Sequence, residues 1–522
     1  MTAALARAFR VVSSLTLLSR VLGMVRDIVT ARLFGDTAIG SSFAAAFAVP
    51  NTFRRLFGEG ALAAAFVPQY ATLVESDQRA ANRFASFTVA LLGLATAGVT
   101  LIGQIGLWIA LAMAEPGSVR HFSIVLVMIA LPFMPLICVA ATLAGMLQTH
   151  GRFGPPAAQP IVLNSLVLAA AGTHLLRSKA TLESAAMLLC GAVVLSGLVQ
   201  VAWSTWALRP YVRWTRVLVG VGENARNLLK RWAGATIGLG TLQVSALLDV
   251  LLAMWPIWFG ATMFGLAYPL DEQSNAILFY AQRLYQFPLG VFGIAVATVA
   301  FPLLSRLARK HDQFRGALVD ALSLSLAIAL PASVGLVLVS QDLTTVLFGG
   351  WGAFSESGAQ RAAASLVGYG ACVWAYGCNQ VLTRAFYALG DTRTPAIVSL
   401  LTLAMNLVLN LSLIWMIREA GLAWATALAA TAQALILIWL LARKQHVRVL
   451  RIVLLRSWKA LPCVAIMAIV VGATLLVWPH DGSWSATAIR LLVCVVLGGA
   501  TYGATAWAIG YHELARVLQR KE

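Results

Sequence analysis

Few residues in this sequence can do chemistry, and those that can are mostly arginines set among apolar residues. One stretch holds Arg20, Arg26, Asp27 and Arg32, a second holds Asn51, Arg54, Arg55 and Glu59, and a third holds Arg283. Asp249 stands alone as a carboxylate in another apolar run. On a helix, Arg20 and Asp27 fall on one face two turns apart, and Arg55 and Glu59 have the spacing of an intrahelical ion pair. A guanidinium fork matches phosphate oxygens bidentately and stays charged at any working pH. Grouped arginines in apolar surroundings therefore point to an anionic, phosphorylated ligand. A cationic ligand would call for carboxylates and aromatic faces instead.

The elements that position these groups must be membrane spans. Of 522 residues, 60% are hydrophobic and 11% charged, whereas a soluble domain is about a quarter charged. A span needs about 20 apolar residues. Apolar runs between charged or Gly/Pro-rich breaks give fourteen, at about 13–34, 38–72, 84–113, 122–148, 157–176, 183–208, 229–256, 274–304, 317–340, 362–388, 395–417, 420–442, 458–478 and 486–510. The second and eighth exceed a bilayer's need, which predicts tilt or kinks at Pro50 and Pro288. The fold class is thus an all-α polytopic membrane protein. The net charge of +18 needs no nucleic acid partner. With a cytoplasmic N-terminus, 26 basic residues fall in inside segments and 6 in outside loops. That bias obeys the positive-inside rule with both termini cytoplasmic. The other six basic residues are Arg20, Arg26, Arg32, Arg54, Arg55 and Arg283, inside spans.

An arginine at mid-span costs roughly 2.5–3.5 kcal/mol on insertion scales, so such residues face a cavity or a partner. Structural readings compete. Arg20 and Arg32 lie near a span end and can snorkel, Arg54 and Arg55 can sit in a loop between short helices, and Asp249 can be a buried hydrogen-bonded residue. The six cysteines lie in apolar stretches without CxxC or Cys/His ligand spacing, so neither disulfides nor zinc are expected. The N-terminal apolar run is broken by Arg20, Arg26 and Asp27, unlike a cleavable signal peptide. A membrane-embedded enzyme needs acidic metal-binding clusters or catalytic His sets. Here Asp27, Glu59 and Asp249 are scattered and no DxxD or HExxH occurs, so the chain is read as a non-enzyme. A non-transporting scaffold would tolerate loss of the arginines.

The chain also repeats itself. Gly60, Phe66 and Pro68 recur as Gly293, Phe301 and Pro302, with the prolines 234 residues apart. GRFGPP leading to Asn164 recurs as GDTRTP leading to Asn406, with Pro156 and Pro395 239 apart. Asp27 and Asp249 match more loosely. Two near-equal offsets indicate two parallel six-span lobes related by an axis along the membrane normal. The expected organisation is a lobe at 1–208, a basic interfacial linker at 209–228 with Trp214 and Val217 interleaved, a second lobe at 229–443, and two added spans with a tail at 444–522.

Four strings carry a family resemblance: SSLTLLSRVLGMVRDIVTARLFG, AFAVPNTFRRLFGEGALAAAFVP, FYAQRLYQFPLGVFGIAVATVAFPLLSRL and RAFYALGDTRTP. Together they resemble the MurJ/MviN family of lipid II flippases, within the multidrug/oligosaccharidyl-lipid/polysaccharide exporter superfamily. The resemblance runs along nearly the whole chain. It implies a protein of the bacterial cytoplasmic (inner) membrane that moves lipid II, the undecaprenyl-diphosphate-linked peptidoglycan precursor, to the outer leaflet by alternating access. It implies diphosphate binding by Arg20, Arg26, Arg54 and Arg283 in a central cationic cavity, supported by Asp27, Arg55, Glu59 and Asn51. It places spans 13 and 14 beside a groove for the prenyl tail. The partners implied are lipid II and membrane lipids, with other cell-wall synthesis proteins left open. A flippase for another polyprenyl-diphosphate-linked oligosaccharide is the neighbouring reading.

The sequence departs from the family in two places. Ser41, Ser42 and Phe43 stand where an acidic residue is frequent, and the loop WFGATMFGLAYPLDEQ is longer. No cofactor is implied. Some members bind sodium in the second lobe, where Asp249 could join Asn379 and Thr383. Coupling to Na+, H+ or the membrane potential stays open.

Overall fold

The structure, a computed structural model, describes residues 3–53, 61–176, 181–217, 222–349, 352–444, 449–478, 483–511 and 513. Helices dominate because a chain in hydrocarbon must satisfy its backbone hydrogen bonds internally. The chain divides into two compact units, Met1–Thr262 and Met263–Glu522, with a small hairpin of β1 (Thr262–Met263) and β2 (Leu266–Ala267) at the boundary.

The first unit contains α1 (Ala3–Phe34), α2 (Ala38–Phe53), α3 (Ala61–Ser76), α4 (Gln78–Ala112), α5 (Val119–Ala130), α6 (Phe133–Thr149), α7 (Gly154–Leu175), α8 (Leu182–Leu208), α9 (Gly222–Ala253) and α10 (Trp255–Trp258). Asp77 caps α4 by accepting from the backbone N–H groups of Arg79 and Ala80, satisfying donors that a helix start leaves unpaired. Phe66, Tyr70, Phe84, Met134 and Leu147 form the main core. Helix α6 approaches α8 closely at Gly197, where a Cβ would come within 2.9 Å of Phe133 and Leu136.

Two boundaries differ from the sequence reading. Helix α9, assigned there to the second lobe, groups with the first unit. It packs on α2 and α3, and Met254 and Ile257, in the segment after α9, share an apolar cluster with Ala45. The linker expected at 209–228 is shorter, because 222–228 is already helical. Its first part is tied to α4: the Arg213 N–H donates to Asn82, the Thr215 N–H to Ser86, and Val212 is buried in the core. Trp214 and Val217 remain exposed. Residues 218–221 lie outside the described residues.

The second unit contains α11 (Ser274–Pro288), a π-helical turn at Leu289–Gly293, α12 (Ile294–Leu307), α13 (His311–Leu338), α14 (Ser340–Leu347), α15 (Glu356–Ala371), α16 (Val373–Ala388), α17 (Arg393–Ile417), α18 (Glu419–Lys444), α19 (Val449–Ser457), α20 (Ala460–Val477) and α21 (Trp484–Ala508). Phe314, Leu322, Val381, Phe386 and Leu437 lie in its main core. Helices α20 and α21 add a second cluster against α13, and the Tyr502 hydroxyl donates to the Ala327 carbonyl at 2.6 Å. The turn from α17 to α18 is tight. Arg418 takes φ +54°, and a Cβ on Gly421 would sit 2.6 Å from the Leu413 carbonyl.

Among the described residues, nine helical segments are long and apolar enough to cross a membrane. The other five expected spans are charged, interrupted or described only in part. Helix α1 carries Arg20, Arg26, Asp27 and Arg32, and α9 begins in a charged segment. The described parts of the second span are α2 and α3, of 16 residues each, the π turn follows Pro288, and α15 and α16 meet at Cys372. The expected kink at Pro288 is thus a π-helical break, while α2 continues through Pro50 to Phe53. The repeat has local counterparts. Pro156 and Pro395 stand in the first turns of α7 and α17, and Asn164 and Asn406 are both buried.

Candidate functional site

In the first unit, α1, α2 and α7 build a site around Arg26. Its Nε and Nη2 donate to Asp27 Oδ1 at 3.1 and 2.6 Å. Its Nη1 donates to Asn164 Oδ1 at 2.9 Å, and its guanidinium carbon lies 4.9 Å from the Phe47 ring centroid. Asn164 is oriented from the other side, its Nδ2 donating to the Ser19 carbonyl at 3.1 Å. Asn164 lies against Gly23, where a Cβ would be at van der Waals contact with its Nδ2, 3.4 Å away. A cation in this apolar setting is therefore held by one carboxylate, one amide oxygen and one ring face.

Arg20 and Asn51 are half-buried on α1 and α2. Arg54, Arg55 and Glu59 lie outside the described residues. In the second unit, Arg283 on α11 lies over the Phe279 ring at 4.5 Å and reaches Gln286 Oε1 at 3.5 Å. The same helix also meets an aromatic cluster. Gln282 donates to the Tyr369 hydroxyl at 2.9 Å, and Tyr285 stacks on Tyr369 and Tyr376. The π turn, Leu289–Gly293, begins nearly two helical turns later.

The expected ion site is divided between the units. Asp249 is buried on α9 in the first, whereas Asn379 and Thr383 lie on α16 in the second. The Asn379 amide donates to the Ala430 carbonyl at 2.8 Å, tying α16 to α18. Among the described residues, no group of three or more His, Cys, Asp or Glu is placed to hold a metal ion.

Several partnerships were not legible beforehand. Asn164 stood in the sequence only as a landmark of the repeat, 138 residues from Arg26. Arg361, counted as loop charge, donates to Glu419 at 2.6 and 3.1 Å, to Asp271 at 2.9 Å and to Gln273 at 2.9 Å. Arg418 donates to the other oxygen of Asp271. Burial alone would raise the Asp271 pKa, but the hydrogen bond and charge of Arg361 outweigh it and hold the carboxyl below its ordinary range. Arg490, also counted as loop charge, is buried and bidentate to Asp342. At the opposite end of α17, Asp391 accepts from Thr394 and Lys444. Those bonds overcome partial burial and bring its pKa down to about 2.

This architecture is a known fold of membrane proteins. The structure is similar to one described as "Lipid II flippase MurJ, inward closed conformation", with a TM-score of 0.76 and 22% identity over 97% of this chain and 99% of that one. It is also similar to an inward-facing multidrug resistance MATE family transporter of the MOP superfamily, with a TM-score of 0.63 and 13% identity over 85% of this chain and 98% of that one. The fold and its apolar helices define an all-α, multi-pass membrane protein.

Sequence comparison specifies the family. The family model described as lipid II flippase MurJ matches residues 30–493, and the chain belongs to that family. A probable lipid II flippase MurJ of Vibrio cholerae serotype O1 is 30% identical over 529 residues, covering 96% of this chain and 95% of that protein. One from Rickettsia prowazekii is 26% identical over 88% of this chain and 89% of its own length.

Proposed function

We propose that this protein flips lipid II from the inner to the outer leaflet of the bacterial cytoplasmic membrane, and that it is not an enzyme. The observation that carries the reading is the family match over residues 30–493. Both termini face the cytoplasm in this proposal, in accord with the 26 basic residues on the inside against 6 outside.

The arginines supply the chemistry. Moving a diphosphate unassisted through hydrocarbon costs on the order of tens of kcal/mol. A hydrated cationic path removes most of that cost while the prenyl tail stays in lipid. Asp27 keeps Arg26 oriented and neutralised before substrate arrives. The Nη1 bond to Asn164 is to a neutral acceptor. A phosphate oxygen can displace it, because an anionic acceptor adds Coulomb attraction to the guanidinium that a neutral amide oxygen lacks. Arg283 and Arg54 engage the same headgroup, with Arg20 nearer the inner entrance. The two units then rock to open the path outward. An inside-negative potential favours export of an anion by about 2.3 kcal/mol per charge per 100 mV.

The test is complementation of a strain depleted of its own lipid II flippase, read together with a leaflet assay for the precursor. The wild-type chain restores growth and delivers precursor outside, while Arg26→Ala, Arg54→Ala and Arg283→Ala each fail. Growth without outward precursor would identify a scaffold. Normal flipping by all three variants would remove the arginines from the mechanism. Unchanged flipping after collapse of the potential would remove that driving force.

A further inference from the structure

Apart from the Arg26 site, the first unit contains a cleft of about 470 Å³ between α2, α4, α5 and the α10 region. Small residues of α4, Gly103, Gly106 and Ala110, form part of its lining. A Cβ on Gly106 would meet nothing within 4 Å, so the space above it is open. Val49 and Phe53 of α2 add apolar walls, and the exposed Phe259 leaves the cleft open at the surface.

Arg120, in the first turn of α5, is the only charged group among the described residues lining this cleft. Its Nε is buried and has no hydrogen-bond partner among the described residues. Nearby Trp258 cannot accept from it, since an indole N–H only donates, here to Ser123 at 2.9 Å. A guanidinium nitrogen left without an acceptor in apolar surroundings is costly, and an anion removes that cost. The cleft therefore combines an apolar channel with a guanidinium whose Nε lacks an acceptor among the described residues.

We propose that this cleft binds one acyl chain of an anionic glycerophospholipid, with the lipid phosphate on Arg120. The dimensions favour a lipid of one leaflet. Lining residues on α4 run from Val99 to Ala110, about 16 Å at roughly 1.5 Å per residue. That is about half of a hydrocarbon core roughly 30 Å thick. Lipid tails are as apolar as leucine, so burial of the chain gives no preference for the cleft over bulk lipid. Selection lies in the phosphate on Arg120 and in the room left by Gly106. The site is independent of the transport reading, since it requires neither Arg26 nor any flipping step.

The test uses the full-length protein in mild detergent, exchanged with phosphatidylglycerol or phosphatidylcholine, and counts retained lipid by native mass spectrometry. The expected result is one phosphatidylglycerol per chain, retained roughly tenfold better than phosphatidylcholine, a difference of about 1.4 kcal/mol. Arg120→Gln lowers phosphatidylglycerol to the phosphatidylcholine level, and Arg120→Lys keeps most of it. Gly106→Phe fills the cleft and removes bound lipid. Ala110→Leu makes the same steric test if the larger change prevents folding. Inorganic phosphate does not compete. The proposal is overturned if Arg120→Gln retains phosphatidylglycerol as wild type does, if a folded cleft-filling variant still carries it, or if inorganic phosphate displaces it fully. The last result would mean a bare anion site.

Discussion

Arg26 in the first unit and Arg490 in the second are both arginines in apolar helices, yet their surroundings differ in kind. Arg490 makes a two-pronged pair with Asp342 and donates its third edge to the Trp478 carbonyl at 2.7 Å. Side-chain exposures of 7% and 3% leave that pair almost no room. Arg26 leans on a single oxygen of Asp27, its immediate neighbour in sequence, and places another nitrogen on the neutral Asn164 amide. Its pair is also more open, at 11% and 12%. A buried cation saturated by fixed acceptors is structural. One held partly by an exchangeable neutral acceptor can be offered to an incoming anion.

The largest expected effect breaks the saturated side of this comparison. Asp342→Ala strands Arg490 and should destabilise the protein by about 3–5 kcal/mol, as removal of one partner of a buried pair does. Replacing both residues, as Asp342→Leu with Arg490→Met, should restore most of that loss. Thermal unfolding in detergent checks both, and flipping should survive in the double variant. Next, Arg26→Ala should reduce flipping about 10- to 100-fold, equivalent to roughly 1.4–2.8 kcal/mol, while lowering the unfolding temperature less than Asp342→Ala. A variant equally damaged in both properties would erase the distinction.

Asn164→Ala sharpens the point further. It removes the Arg26 acceptor and the donor to Ser19, at a cost of about 1–2 kcal/mol. Flipping should fall severalfold without being abolished, because Asp27 still holds the guanidinium. The smallest effect lies outside the membrane-spanning helices. His150 contacts the Tyr70 hydroxyl at 3.0 Å and stacks on Tyr211. Burial lowers its pKa below the ordinary 6.5. This contact is at full strength above pH 6.5 and weakens as pH falls from there through the lower folded value, since the unfolded chain takes up the proton first. Protection of 209–217 against hydrogen exchange, taken relative to the intrinsic amide rate at each pH, should fall as pH drops from 7.5 to 5.5, and His150→Asn should make that protection pH-independent.

The helices were legible because the bilayer dictates their length and composition. The span expected at 420–442 is α18, Glu419–Lys444, and that at 157–176 is α7, Gly154–Leu175. Breaks were less legible: Pro288 signalled one, but the five-residue π turn that follows has no compositional mark. Arg26 could be singled out because a charge at mid-span is conspicuous. Its dependence on Asn164 could not, since that contact comes from packing α1 against α7. Arg361 and Arg490 were misread for a related reason. Basic residues near helix ends count toward orientation, and only the fold brings Asp271, Glu419 and Asp342 to them. The grouping of α9 with the first unit likewise depends on packing that the repeat does not encode.

The α17–α18 pair is fastened at both ends. Asp391 and Lys444 join its open end, while Arg418 and Glu419 at its tip bind Asp271 and Arg361. Two rods pinned at each extremity resist sliding past one another. A swing of this pair as one beam keeps both fastenings, whereas a shear between its helices breaks the Asp391–Lys444 pair.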